Sequence, residues 1–177
     1  MSNYQAIHNI ESAIEDLLEN DEILKKELEL SVSFEPPPKE PSTTLNKVYF
    51  FLYQVVENVH MKNEDMLRMD DAHLHYPPIS LDLYYLLILY GSGRNLVLGR
   101  IMQIFHDHSI MKGAELNLDN EDEEIKIILN TISLDDLTKI WSAFKETGYA
   151  LSVSYLITPV RIDSTKEMGV HRVISIR

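Results

Sequence analysis

Near the start of the chain, Ile7, Ile10, Ile14, Leu17, Leu18 and Leu24 recur at helical spacing, while Glu11, Glu15, Asp16 and Glu19 take the opposite side. That period predicts an amphipathic helix over residues 3–26. The pattern then switches to alternation: Leu28, Leu30, Val32 and Phe34 are separated by polar neighbours, which predicts a half-buried strand at 28–34. "EPPPKEPSTT" (35–44) can continue neither element, because proline fixes φ and removes amide donors, so an extended, mobile loop is expected there.

Two long strands are predicted next, at 46–58 ("NKVYFFLYQVVEN") and 78–91 ("PISLDLYYLLILYG"), both rich in β-branched and aromatic residues. In the second, Leu81, Leu83, Tyr85, Leu87 and Leu89 share one face while Asp82, Tyr84, Leu86 and Ile88 share the other. Apolar residues on both faces imply cover on both sides for part of its length. The polar stretch between the strands, 59–77, is expected to be a second mobile loop. "GSG" breaks the pattern, and 94–107 returns to helical spacing through Val97, Leu98, Ile101, Ile104 and Phe105. The acidic run 119–124 reads as a solvated face and precedes a short strand at 125–131. Ser133 followed by Asp136 reads as a helix N-cap with an acidic first turn, and Gly148 as the end of that helix. Within it, Trp141 shares an apolar face with Leu137, Ile140 and Phe144 and is expected to pack on the sheet. Residues 149–163 alternate as a strand as far as Pro159, and 170–177 as a last one. Interleaved helices and strands over 177 residues predict a single domain, 1–177, of the α/β (α+β) class. A mixed, mainly antiparallel sheet flanked by helices is expected.

Composition narrows the function. The net charge of −12 opposes binding to phosphate backbones and anionic lipid, so neither nucleic acid nor a membrane is expected as a partner. The aromatics of "VYFFLYQ" and "LDLYYLL" have only Lys47 among them, too little basic charge for a base-stacking platform. No cysteine is present, which removes disulfides, thiolate ligands and a cysteine nucleophile. The start of the chain lacks the basic and apolar regions of a secretory signal, and the 79–91 run is too short to span a bilayer.

Candidate chemistry is confined to histidines. His106, Asp107 and His108 stand together at the end of the 94–107 helix, and Asp70, Asp71, His73 and His75 form a second group. Either could hold a cation, and the first could serve as an acid–base pair. Neighbouring residues on a helix point about 100° apart, however, and histidine in a last turn is favoured by the helix dipole with no chemistry required. The favoured reading is a helix cap. No phosphate loop, dinucleotide fingerprint, serine elbow or calcium loop is present.

Four segments together carry a resemblance. "KVYFFLYQVVEN", "PPISLDLYYLLILYG", "LGRIMQIFHDHSIM" and "SLDDLTKIWSAFKETGYALSVSYLITPVRID" occur in an order and spacing similar to the tail-terminator or cap proteins of extracellular contractile injection systems. These are phage-tail-like particles such as antifeeding prophages and Photorhabdus virulence cassettes. The resemblance runs from residue 3 to about 163 and points to the N-terminal domain of the cap. It implies a phage tail-terminator-like fold and a non-enzymatic, homohexameric ring ending the inner tube and sheath at the end distal to the baseplate. It also implies sheath and tube proteins as partners, with no catalytic residue, metal or cofactor. Assembly would take place in the bacterial cytoplasm, as part of a particle that is later released. Contact with the sheath or a neighbouring subunit would need an exposed sheet edge. The candidates are Leu28, Leu30, Val32 and Phe34 in the first alternating strand and Val170, Val173, Ile174 and Ile176 in the last. Two alternatives remain: another structural or adaptor component of the same particle, or a small metal-dependent hydrolase using His73, His75, His106 or His108.

Overall fold

The structure is a computed structural model, and it describes residues 4–40, 45–62, 67–68, 73–116, 118, 121–145 and 147–169. Two helices come first, α1 (Ala6–Glu19) and α2 (Glu22–Lys26), followed by β1 (Ser31–Ser33) and β2 (Lys47–Glu57). Then come β3 (Leu67–Arg68), β4 (His73–His75), β5 (Ile79–Tyr90), α3 (Arg94–Asp107) and β6 (Ile110–Lys112). β7 (Glu124–Asn130), α4 (Leu134–Ser142), β8 (Ser152–Ile162) and β9 (Glu167–Gly169) complete the described chain. Six strands form one sheet in the order β1-β2-β5-β8-β7-β6, and β3-β4-β9 form a small second sheet. In the large sheet β1 runs parallel to β2 and every other neighbour is antiparallel. The mixed, mainly antiparallel sheet with flanking helices is the architecture the sequence predicts.

β5 lies near the middle of this sheet and is covered on both faces. Leu81, Leu83, Tyr85, Leu87 and Leu89 join the main core with Ile10, Ile14 and Leu18 of α1, Leu24 of α2 and Val97, Ile101, Ile104 and Phe105 of α3. On the opposite face Leu86, Ile88 and Tyr90 form a smaller cluster with Tyr49 of β2 and Leu137 and Trp141 of α4. Burying one such aliphatic side chain stabilises by roughly 1.5–3 kcal/mol, so a strand that serves both layers outweighs any other single element.

Several predicted boundaries move, each for a local reason. The helix expected over 3–26 divides at Asn20–Asp21. Asp21 adopts extended backbone and caps α2 by accepting from the Leu24 amide at 3.0 Å, and its carboxylate also receives the Arg100 guanidinium of α3 at 2.6 Å. The strand expected over 28–34 shortens to three residues, because Glu29 takes φ +45° and the Leu30 amide bonds back to the Leu24 carbonyl. The loop expected over 59–77 contains β3 and β4; residues 63–66 and 69–72 lie outside the described residues, as do 41–44 of the proline-rich loop. α4 ends at Ser142, well short of Gly148, and tight turns through Ala143, Phe144 and Thr147 wind the chain down. β8 continues past Pro159 instead of stopping there. Pairing to β7 ends at Thr158 and the register with β5 shifts between Leu81 and Leu83, so the missing proline amide falls where no ladder partner needs it. In the acidic run, Glu123 is 8% exposed rather than solvated. The segment 170–177 lies outside the described residues.

The turn into α3 explains "GSG". Gly91 has φ +114°, and a Cβ there would lie 2.5 Å from the Asn46 side-chain oxygen and 2.8 Å from its Cα. Asn46 itself accepts from the Gly93 amide at 2.9 Å and donates to the Leu28 carbonyl at 2.7 Å. One side chain thus ties the approach to β1, the start of β2 and the start of α3.

Candidate functional site

The candidate contact strand at 28–34 lies at a sheet edge, as a docking strand must. β1 has β2 as its only neighbour among the described residues. Its side chains, however, serve the interior: Val32 is buried, and Leu28, Leu30 and Phe34 pack partly buried against the main core. Phe34 meets the Phe50 ring edge-on at 6.0 Å. What β1 offers outward is therefore backbone, with the alternating side chains turned to the core. Val170, Val173, Ile174 and Ile176 lie outside the described residues.

Both edge strands are short, and this leaves longer inner strands open. β1 pairs only with Lys47 to Tyr49 of β2, and β6 only with Glu124 to Lys126 of β7. Past these points no described strand lies outside β2 from Phe50 onward. Outside β7 the Ile127 amide still reaches the Ser109 carbonyl at 2.9 Å, and no described strand follows. Both open stretches carry adjacent exposed aliphatics: Val55 (46%) and Val56 (36%) on β2, Ile128 (41%) and Leu129 (50%) on β7. A groove of about 450 Å³ beside β2 is lined by apolar residues such as Tyr53, Val56 and Ile140 and by the charged Asp136 and Lys139. Another of about 400 Å³ beside β7 is lined by Met102, Phe105, His106, Leu129 and Tyr155.

The far end of β2 is held rigid by a polar knot. Asn58, itself buried, donates from its amide to the Ser80 carbonyl at 2.8 Å and from its side chain to Asp82 at 2.8 Å. Its side-chain oxygen accepts from the His60 and Met61 amides at 3.0 and 3.2 Å, and the Thr158 hydroxyl donates to Asp82. Asp82, the one charge in the apolar run 79–91, thereby fixes the turn that leaves β2. Lys62 closes over this end onto Glu57 at 2.8 Å.

Among the described residues, His106 and His108 do not converge on a shared site. His106 is exposed, and His108 caps α3 with its Nδ1 at 3.0 Å from the Ile104 carbonyl. His73 and His75 fall in β4, and their side chains, with Asp70 and Asp71, lie outside the described part. Among the described residues no three His, Cys, Asp or Glu side chains are placed to hold a metal ion, and no helix is long and apolar enough to cross a membrane. Sequence reasoning missed the open lengths of β2 and β7. The adjacent valines of "QVVEN" and the "IILN" ending of β7, both of which break alternation, were the available signal.

No curated protein matches the chain. Among solved structures it is similar to the sheath/tube terminator, in its extended state, of the extracellular contractile injection system PVC. Identity is 15% and the TM-score 0.69, with 97% of this chain and 61% of that one covered. It is likewise similar to the tube-terminating cap of the anti-feeding prophage, at 16% identity and TM-score 0.66, over 97% of this chain and 59% of that one. The chain thus spans about three fifths of the length of the structures it matches, and what it shares with them is the fold. In sequence, the profile of the Pvc16 N-terminal domain matches residues 9–176, from inside α1 to beyond β9. With nearly the whole chain matched, the sheet and both helical layers included, the protein belongs to the Pvc16 N-terminal domain family.

Proposed function

We propose that this protein is a structural cap, or terminator, of a contractile phage-tail-like injection particle. The observation that carries the proposal is the family match over residues 9–176, on a fold shared with two proteins that end a sheath or a tube. In this reading the protein forms a six-fold homomeric ring at the end distal to the baseplate, with sheath and tube proteins as its partners. It works by complementarity and not by catalysis, and it needs no cofactor. Assembly takes place in the bacterial cytoplasm and the ring leaves with the extracellular particle.

A terminator must bind the last layer of a polymer on one surface while refusing a further layer on the other. An exposed strand edge suits the first task, since backbone hydrogen bonds give affinity without requiring a deep pocket. Two segments are candidates for that edge. β1, with Leu28, Leu30, Val32 and Phe34 turned inward, presents its outer backbone; residues 170–177, with Val170, Val173, Ile174 and Ile176, follow β9. The test is to delete the gene in a producing cell and image the particles. Tubes and sheaths of irregular length, restored by the intact gene, are expected. Normal, capped particles without this protein would overturn the proposal. Removing residues 170–177 alone should preserve the fold and yield ragged or overlong sheaths if that segment is the docking edge.

A further inference from the structure

Neighbouring copies, we propose, join sheet edge to sheet edge: the outer edge of β2 at Leu52–Val56 in one copy pairs with the outer edge of β7 at Ile128–Asn130 in the next. This rests on the ring reading above and names the two different surfaces that a closed ring of identical subunits requires.

Four features of the sheet support the pairing. First, among the described residues both stretches are open, because β1 and β6 each cover only three residues of their neighbours and beyond them only the Ile127 amide is taken, by the Ser109 carbonyl. Secondly, the two openings lie at the same height. Gln54 pairs with Tyr84, Tyr84 with Leu156 and Leu156 with Ile128; likewise Leu52, Tyr85, Tyr155 and Leu129 form one row. A rotation about an axis along the strands therefore brings Gln54 of one copy beside Ile128 of the next with no slide along the axis, the condition for a ring to close instead of climbing into a helix. Thirdly, β2, β5, β8 and β7 alternate in direction, so β2 and β7 run oppositely and a head-to-tail neighbour meets the edge antiparallel. Fourthly, the side chains match by face. Gln54, Val56 and Ile128 stand on the α4 face, while Val55 and Leu129 stand on the face of α1 and α3.

The chemistry of the two stretches agrees with this. Soluble proteins protect open edges with charge or proline, to stop unwanted pairing. "LYQVV" (52–56) and "IILN" (127–130) contain neither, although a quarter of the chain is charged. Paired, Ile128 and Leu129 would be covered by the neighbouring strand and the open backbone groups beside them satisfied, and the sheet would continue from subunit to subunit.

The chain has no cysteine, so an introduced pair is unambiguous. The double variant Gln54→Cys with Ile128→Cys, treated with a short bis-maleimide both as purified protein and in isolated particles, should give a ladder of covalent multimers. Neither single variant should cross-link. As an independent measurement, Val56→Lys and Ile128→Lys should each stay folded by circular dichroism and fail to close rings. Mixed, they should form a one-to-one heterodimer through the edge each still has intact. Cross-linking by a single-cysteine variant, or normal ring formation by either lysine variant, would overturn the pairing. A ring that sediments at its full mass but gives no ladder would overturn the pairing and leave the ring standing. A native chain that is monomeric at every concentration, and unlinked in particles, would overturn both.

Discussion

Replacing Trp141 with alanine tests whether the α4 layer is held to the sheet by one side chain. Trp141 is 7% exposed and packs in the smaller cluster with Tyr49, Leu86, Ile88, Tyr90 and Leu137. Its ring lies 5.5 Å from Phe144 and 5.4 Å from Tyr149, and its Nε1 donates to the Ser152 hydroxyl at 3.0 Å, which ties the helix to β8. Truncating a buried tryptophan removes the transfer energy of the ring and leaves a cavity, together about 3–5 kcal/mol. The indole hydrogen bond accounts for roughly 1 kcal/mol of that. In a chain of this length each kcal/mol moves the melting temperature by about 2–4 °C, so Trp141→Ala should melt on the order of 10 °C lower. Trp141→Phe keeps most of the apolar area and loses only the N–H, so a drop of about 2–4 °C is expected. Thermal unfolding followed by far-ultraviolet circular dichroism reads both. As the chain's single tryptophan, Trp141 also reports its own environment by fluorescence in the native protein. An alanine variant melting within about 2 °C of the native protein would refute the packing argument. It would make Trp141 a surface residue, available to a partner.

Further outcomes follow from the other sites. His106→Gln with His108→Gln should leave assembly intact and lower stability by only about 0.5–1 kcal/mol, for the lost bond from His108 to the Ile104 carbonyl; loss of a bound metal detected by elemental analysis, together with loss of assembly, would overturn the helix-cap reading. Asp21→Ala should remove the α2 cap, worth about 1 kcal/mol, and free Arg100, shown by a lower denaturation midpoint. The Arg100 guanidinium, more than the Leu24 amide, holds the Asp21 carboxyl below its ordinary value. Stability from this group is therefore present above the unfolded-state pKa and lost as pH falls through the folded one, a loss in acid that Asp21→Ala should reduce. Glu11 is the opposite case: burial pushes its carboxyl up, against the lowering effects of the Tyr85 hydroxyl and His8. A raised carboxyl pKa favours the folded state below it and penalises it as pH rises towards neutrality, so Glu11→Gln should flatten the stability profile over that window. An unchanged profile on titration of the melting temperature would refute that assignment.

The long elements were legible because their patterns are local. β2, β5 and α3 lie within one or two residues of their predicted spans, and the two apolar faces of β5 match the two clusters it joins. The Ser133 cap was equally readable, since its bond to the Asp136 amide spans three residues. What failed depended on distant partners. The break at Asn20–Asp21 is fixed by Arg100, 79 residues away, in a stretch with neither glycine nor proline to mark it. β4 takes its place through β9, far along the chain, and the three-residue β6 is too short to show a period. Passage of β8 through Pro159 is permitted only because β7 has stopped pairing beside it. The candidate edge was half legible for the same reason. Alternation in 28–34 reported which side chains turn inward, but whether a strand is outermost belongs to the order of the whole sheet. The open part of β2 follows from where β1 ends, which no pattern within β2 can reveal.

The position of β5 has a mechanical consequence. Tension applied along its axis loads the ladders to β2 and β8 in shear, so their hydrogen bonds must yield together. The same tension applied across the sheet at β1 or β6 opens one bond at a time, as a zipper does. The molecule is therefore stiff along its central strand and yields first at its two short outer strands. A molecule pulled across its sheet would keep its doubly covered centre after its margins had given way.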